Sequence, residues 1–193
     1  MVPAEQRRPR RPQSADLRNT YPQAGKFRGG PASRPITVGR MTDLPFFADG
    51  PAPGVDLSLF GRFTGSWELD CTEFEPDGTS TVHHGEWHFG YALGGHATTD
   101  VWILPGVEHG VSVRFPDPSA GDGVWRSTWI GPGRRRVHSF LAAPSPGGIT
   151  LDGGDLRWTF HRLRPSSFLW RNEARNDDGS WRLQQSFEVW RIH

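Results

Sequence analysis

Three things are scarce in this 193-residue sequence: cysteine, lysine and long apolar runs. The single cysteine, Cys71, can make no internal disulfide and has no CxxC partner for a zinc site, so the fold needs no oxidising compartment. Apolar residues do not form the run of about seven that a secretory signal, the twin-arginine kind included, requires behind its arginines. Nor is any run long enough to span a bilayer. A cytoplasmic protein without a membrane partner is expected. Lysine occurs once among 22 basic residues, which points to a GC-rich genome.

Helical periodicity is also scarce. One short turn within 54–63, "GVDLSLFGRF", places Leu57, Phe60 and Phe63 on or near one face. What the chain has instead is aromatic residues, 12% of the total with nine Trp, against an ordinary hydrophobic fraction of 35%. Large side chains of this kind favour sheets.

The net charge of +1 averages two unlike pieces. Residues 1–40 carry nine Lys+Arg against two Asp+Glu, without periodicity and rich in Pro, Gly and Arg. They read as a disordered basic tail. Met41 opens a second reading, in which the protein starts there and 1–40 is an upstream extension. Residues 41–193 form the single folded domain and are acidic, which argues against nucleic acid as a partner. The run Arg134 to Arg136 then reads as the exposed start of a strand.

From residue 57 onward, short runs of Trp, Phe, Val and Thr alternate with turn residues such as "PDG" at 76–78, "GPG" at 131–133 and "NDDG" at 176–179. Ten strands are expected: near 63–74, 80–91, 97–104, 110–115, 124–130, 135–142, 148–152, 156–163, 167–175 and 181–191. A meander of that length leaves two exposed edges unless it closes on itself. The fold class is therefore all-β, an antiparallel up-and-down barrel of about ten strands, wide enough for packed side chains or one small ligand.

The motif Gly65-x-Trp67 in "FTGSWELD", at the start of the first strand, resembles the G-x-W signature of the lipocalin and wider calycin superfamily. That resemblance implies a Trp closing the barrel floor against an Arg of the last strand, here Arg191. The body also resembles a bacterial group of lipocalin-like, DUF1579-type proteins through "GEWHFGYALGG", "DVWILP", "VSVRFPDP", "WRSTWI", "FLWRNEA" and "WRLQQSFE". The group implies a fold and a central cavity more firmly than an activity.

Side chains alternate across a strand, so Trp87, Phe89 and Tyr91 share one face and Glu86 and His88 the other. A two-residue turn at Gly94-Gly95 would pair Phe89 with Asp100 and Trp87 with Trp102, making an aromatic box with one carboxylate. A bulge there would bring Glu86 and His88 beside Asp100 instead. Both registers stay open at this stage. Asp100 and Arg114, each costly to bury alone, are expected to pair.

The candidate acid–base groups are thus Asp100, Glu86, His88 and Arg114. The candidate ligand contacts are Trp87, Phe89, Tyr91, Trp102, Trp129, Trp170, Glu173 and Gln185. Further cavity candidates are Arg126, Thr128, His138, His161 and Asn172. No cofactor is expected. The histidines lack HExxH or CxxC context, so no metal site is expected. A haem barrel of the nitrobindin kind would need an interior His138 or His161, but a lone histidine on a strand is more often a surface or hydrogen-bonded residue. Cys71, beside Asp70, Glu73 and Glu75, is expected to be inert because nearby carboxylates disfavour the thiolate.

Two function classes follow. One is binding of a small hydrophobic or aromatic molecule in the barrel. The other is a cofactor-independent enzyme of cyclase, isomerase or hydratase type, using general acid–base groups in the same cavity. Pairing of barrels into a homodimer is left open.

Overall fold

A computed structural model describes residues 46–192. The basic tail and the possible start at Met41 lie outside the described residues. After a two-residue strand, β1 (Phe47–Ala48), and a single helical turn, α1 (Ser58–Gly61), ten longer strands follow one another. They are β2 (Gly65–Phe74), β3 (Ser80–Ala92), β4 (Ala97–Leu104), β5 (Glu108–Pro116) and β6 (Trp125–Gly131). The second half comprises β7 (Arg136–Ser145), β8 (Gly148–Asp152), β9 (Leu156–Arg164), β10 (Ser167–Arg175) and β11 (Trp181–Arg191).

Every sequence neighbour from β2 to β11 pairs antiparallel, and β11 pairs with β2. The ten-stranded sheet is therefore a closed barrel, with β1 added to the end of β3. The expected strands agree with these to within a few residues at their ends. Closure removes the edges that a ten-strand meander would otherwise expose.

The helical turn plugs one end. Leu57, Phe60 and Phe63 are buried, and Phe60 and Phe63 stack against Phe160 at 5.9 and 5.1 Å between ring centroids. Below them lies the expected floor contact. The Arg191 guanidinium sits 4.1 Å from the Trp67 ring centroid, and the Trp67 indole donates to the Phe63 carbonyl at 2.6 Å. Arg191 also donates to the carbonyls of Thr64 (2.8 Å) and Pro165 (3.1 Å). Gly65 is required beside it, because a β-carbon there would come within 2.8 Å of the Arg191 guanidinium and its φ of 120° suits glycine.

The interior is mostly filled. Trp87 lies at its centre, with ring contacts to Phe89, Trp102, Phe160, Phe168, Trp170 and Phe187 at 4.9–6.0 Å. Offset and edge-on pairs of this kind add to the stabilisation from burial alone. A wide hollow walled by indoles, which the aromatic content suggested, is therefore corrected: the rings meet each other across the barrel and leave a small space between them at the end opposite α1.

Candidate functional site

The β3–β4 hairpin takes the unbulged register. Trp87 faces Trp102, Phe89 faces Asp100 and Tyr91 faces Thr98. Gly94 and Gly95 both have positive φ, 64° and 83°, as a tight hairpin turn of the favoured hand requires. Trp87, Phe89, Asp100 and Trp102 are buried, and Tyr91 is half-buried near α1. Glu86 and His88 consequently lie on the outer face, where His88 bonds Glu86 and Ser66, each at 2.9 Å. The register in which those two turn inward is thereby corrected.

Asp100 and Arg114 do pair, both 1% exposed. Asp100 also accepts from the Trp87 indole (2.9 Å) and the Ser112 hydroxyl (3.2 Å), and Arg114 donates to Ser112 (3.0 Å). Burial pulls the Arg114 guanidinium down to about 9, still protonated at neutral pH beside its carboxylate. The pair is sealed on the plugged side, with the guanidinium 4.8 Å from the Phe60 ring centroid. It braces the barrel wall and does not line the open end.

That open end is lined by Trp102, Leu104, Glu108, Trp129, Trp158 and His138, with Arg134, Arg136, Asn172 and Gln185 around them. The enclosed part measures about 30 Å³, and about 370 Å³ including the mouth open to solvent. The smaller figure is room for about two water-sized groups. Of the expected ligand contacts, Trp102, Trp129 and Gln185 are here. Trp170 lies just beneath, 5.2 Å from Trp158.

One side of the opening is a chain of side-chain hydrogen bonds. Trp158 donates to Asn172 (3.0 Å), Asn172 to Gln185 (3.3 Å) and Gln185 to Glu73 (2.6 Å). Arg134 donates to the same Glu73 oxygen at 2.6 Å, while His83 lies 3.3 Å from the other. Burial raises the Glu73 proton affinity, but the bonds from Arg134 and Gln185 outweigh it, so the carboxyl is held below its usual range. Arg134 is exposed just before β7, as expected, and its side chain also reaches from the β6–β7 turn to Glu73 at the mouth.

On the other side, His138 stacks on Trp129 at 5.6 Å and 13°. Partial burial, reinforced by the Arg136 charge, lowers its pKa, so the imidazole is neutral at pH 7. Glu108 is buried, yet its carboxylate accepts three backbone N–H bonds, from His109 (3.0 Å), Gly133 (2.9 Å) and Arg134 (2.8 Å). Those bonds anchor the turn that carries Arg134.

Glu173 is outside. Register shifts between Asn172 and Glu173, and Glu173 pairs with Arg157 (2.9 Å), whose guanidinium covers the Trp181 ring at 4.3 Å. Arg126 is likewise on the outer face, paired with Asp117 at 2.5 Å, and Thr128 bonds Ser139 there. His161 sits in an outer groove with Arg157, Arg171 and Glu173. Cys71 is inside, where burial pushes its thiol up to about 12, with the Glu73 charge second.

No family model and no curated protein matches this chain. Among solved structures, the crystal structure of Rv2717c from M. tuberculosis is similar, with a TM-score of 0.52 and 11% identity over 74% of this chain and 99% of that one. At that identity the likeness shows the fold alone. Together with the closed sheet, it establishes a ten-stranded antiparallel barrel, an architecture compatible with a ligand-binding cavity.

Proposed function

We propose that this protein binds a small hydrophobic or aromatic molecule at the open end of its barrel, between Trp102, Trp129, Trp158 and His138. The observation that carries the reading is the asymmetry of the barrel. One end is shut by α1, Trp67 and Arg191, while the other opens on a small space lined by buried aromatic rings and a few fixed polar groups, the usual make-up of a ligand pocket. Assignment to the lipocalin-like, DUF1579-type group belongs to the same proposal and is supported by Gly65, Trp67 and Arg191 acting together at the floor.

Binding is preferred over acid–base catalysis because the four acid–base candidates of the sequence do not meet at this opening. Asp100 and Arg114 neutralise each other under the plug, and Glu86 and His88 face outward. A titration with the neutral fluorophore N-phenyl-1-naphthylamine tests the reading. Saturable, one-to-one emission enhancement that Trp129→Ala weakens at least tenfold is expected. Absence of saturation, or equal binding by Trp129→Ala, would refute it.

A further inference from the structure

At the inner wall of the opening, two indole nitrogens lie against the same backbone position, Gly110. Trp102 and Trp129 meet edge to face, with centroids 5.4 Å apart and rings at 86°. A β-carbon on Gly110 would collide with both Nε1 atoms, so the bare glycine backbone is what lets them converge. Trp102 is 5% exposed and Trp129 4% exposed. Neither Nε1–H has a hydrogen-bond partner among the described residues.

Two unpaired donors on one small space are costly, because a buried N–H without an acceptor forfeits what water would supply. An indole N–H can only donate, so the group that satisfies both must be an acceptor. The nearby acceptors are already engaged: Asn172 by Trp158, Gln185 by Asn172, and Glu108 by three backbone amides. An oxygen brought by the ligand would supply the acceptor that these two donors lack.

Charge decides between an anion and a neutral acceptor. Arg134 and Arg136 contribute two positive charges at the mouth, and Glu73 and Glu108 two negative ones, with His138 neutral. The formal sum is zero, and the cation nearest Glu73 is already bonded to it. With no net positive charge at the mouth, a carboxylate gains little there against the cost of its desolvation.

Building on the proposed ligand binding, we infer that the occupant is an uncharged aromatic carbonyl compound, its oxygen held between the Trp102 and Trp129 N–H groups. The enclosed space, about 30 Å³, suits a small carbonyl end, with the ring lying outward against His138 and Trp158.

Three probes of similar size separate the possibilities: acetophenone, ethylbenzene, which lacks the acceptor, and benzoate, which is charged. Their affinities are read from ¹H–¹⁵N indole spectra of the full chain. Acetophenone is expected to bind at least tenfold tighter than ethylbenzene and to move the Trp102 and Trp129 N–H signals downfield. In Trp102→Phe and Trp129→Phe, which keep a ring but lose the donor, the preference is expected to fall below threefold. Equal affinity for acetophenone and ethylbenzene would overturn the inference and leave ligand binding standing. Tighter binding of benzoate than of acetophenone would overturn its uncharged character. Failure of all three to bind while N-phenyl-1-naphthylamine still binds would overturn the inference and leave ligand binding standing; failure of the fluorophore as well would overturn both.

Discussion

The Arg191 guanidinium lies 4.1 Å from the centroid of the Trp67 ring while donating to the Thr64 and Pro165 carbonyls. This joins the first long strand to the last and closes the floor beneath α1. Replacing Arg191 with Ala removes a cation over an indole and leaves carbonyls to water. A loss of about 1–2 kcal/mol is expected from urea unfolding, with Arg191→Lys recovering part of it. A loss indistinguishable from zero would mean that the floor is held by packing alone.

The buried Asp100–Arg114 pair gives an asymmetric expectation. Asp100→Ala leaves an uncompensated guanidinium among Phe60 and Phe160, a change that costs about 3–5 kcal/mol. Removing both charges in Asp100→Leu/Arg114→Met is expected to restore most of that stability. If the double variant is no more stable than the single one, hydrogen bonding by this pair, and not its charge balance, holds the wall.

Cys71 supplies a pH test. Its thiol pKa rises from about 9 unfolded to about 12 folded, so the folded state keeps a proton that the unfolded state releases. The sign follows: stability is fully present below pH 9 and falls by about 1.4 kcal/mol per pH unit as pH rises toward 12. Cys71→Ala is expected to remove this alkaline slope. At pH 8 the native thiol is expected to resist Ellman's reagent until the barrel unfolds.

His138 acts in the opposite range. Its folded pKa lies below the ordinary 6.5, so the unfolded chain binds its proton first and stability is lost as pH falls from 6.5 toward the folded value. Imidazole NMR titration is expected to place its midpoint below 6.5. His138→Gln is expected to flatten that part of the stability profile, while an unchanged profile would assign the loss elsewhere.

Much of the fold was legible because its causes are local. Turn residues and period-two alternation located ten strands, and Gly94-Gly95 allowed the pairing of Trp87 with Trp102 and Phe89 with Asp100 that the barrel adopts. The Asp100–Arg114 contact was legible from chemistry, since each partner is expensive to bury alone, and the Trp67–Arg191 contact from the resemblance of Gly65-x-Trp67 to the lipocalin signature. Their depth was not. Whether Asp100 lies at the open or the plugged end depends on Phe60 swinging over Arg114, a contact between residues 54 positions apart in sequence.

Glu173 was placed wrongly although alternation speaks against it: with Phe168, Trp170 and Asn172 turned inward along β10, the next residue faces out. Arg134 was missed because a long side chain from a turn reaches back to Glu73. The filling of the interior had no signal at all: aromatic count predicts neither how rings interlock nor how much space they leave.

The measurement that bears most directly on the whole account is a titration of the nine indole N–H resonances with N-phenyl-1-naphthylamine. If the molecule enters opposite α1, the signals of Trp102, Trp129 and Trp158 shift with a common midpoint, while Trp67 and Trp125, near the plug, stay put. Shifts centred on Trp67 and Trp125, or spread over the outer Trp181 and Trp190, would contradict a barrel that is shut at its floor and receives its ligand at the other end.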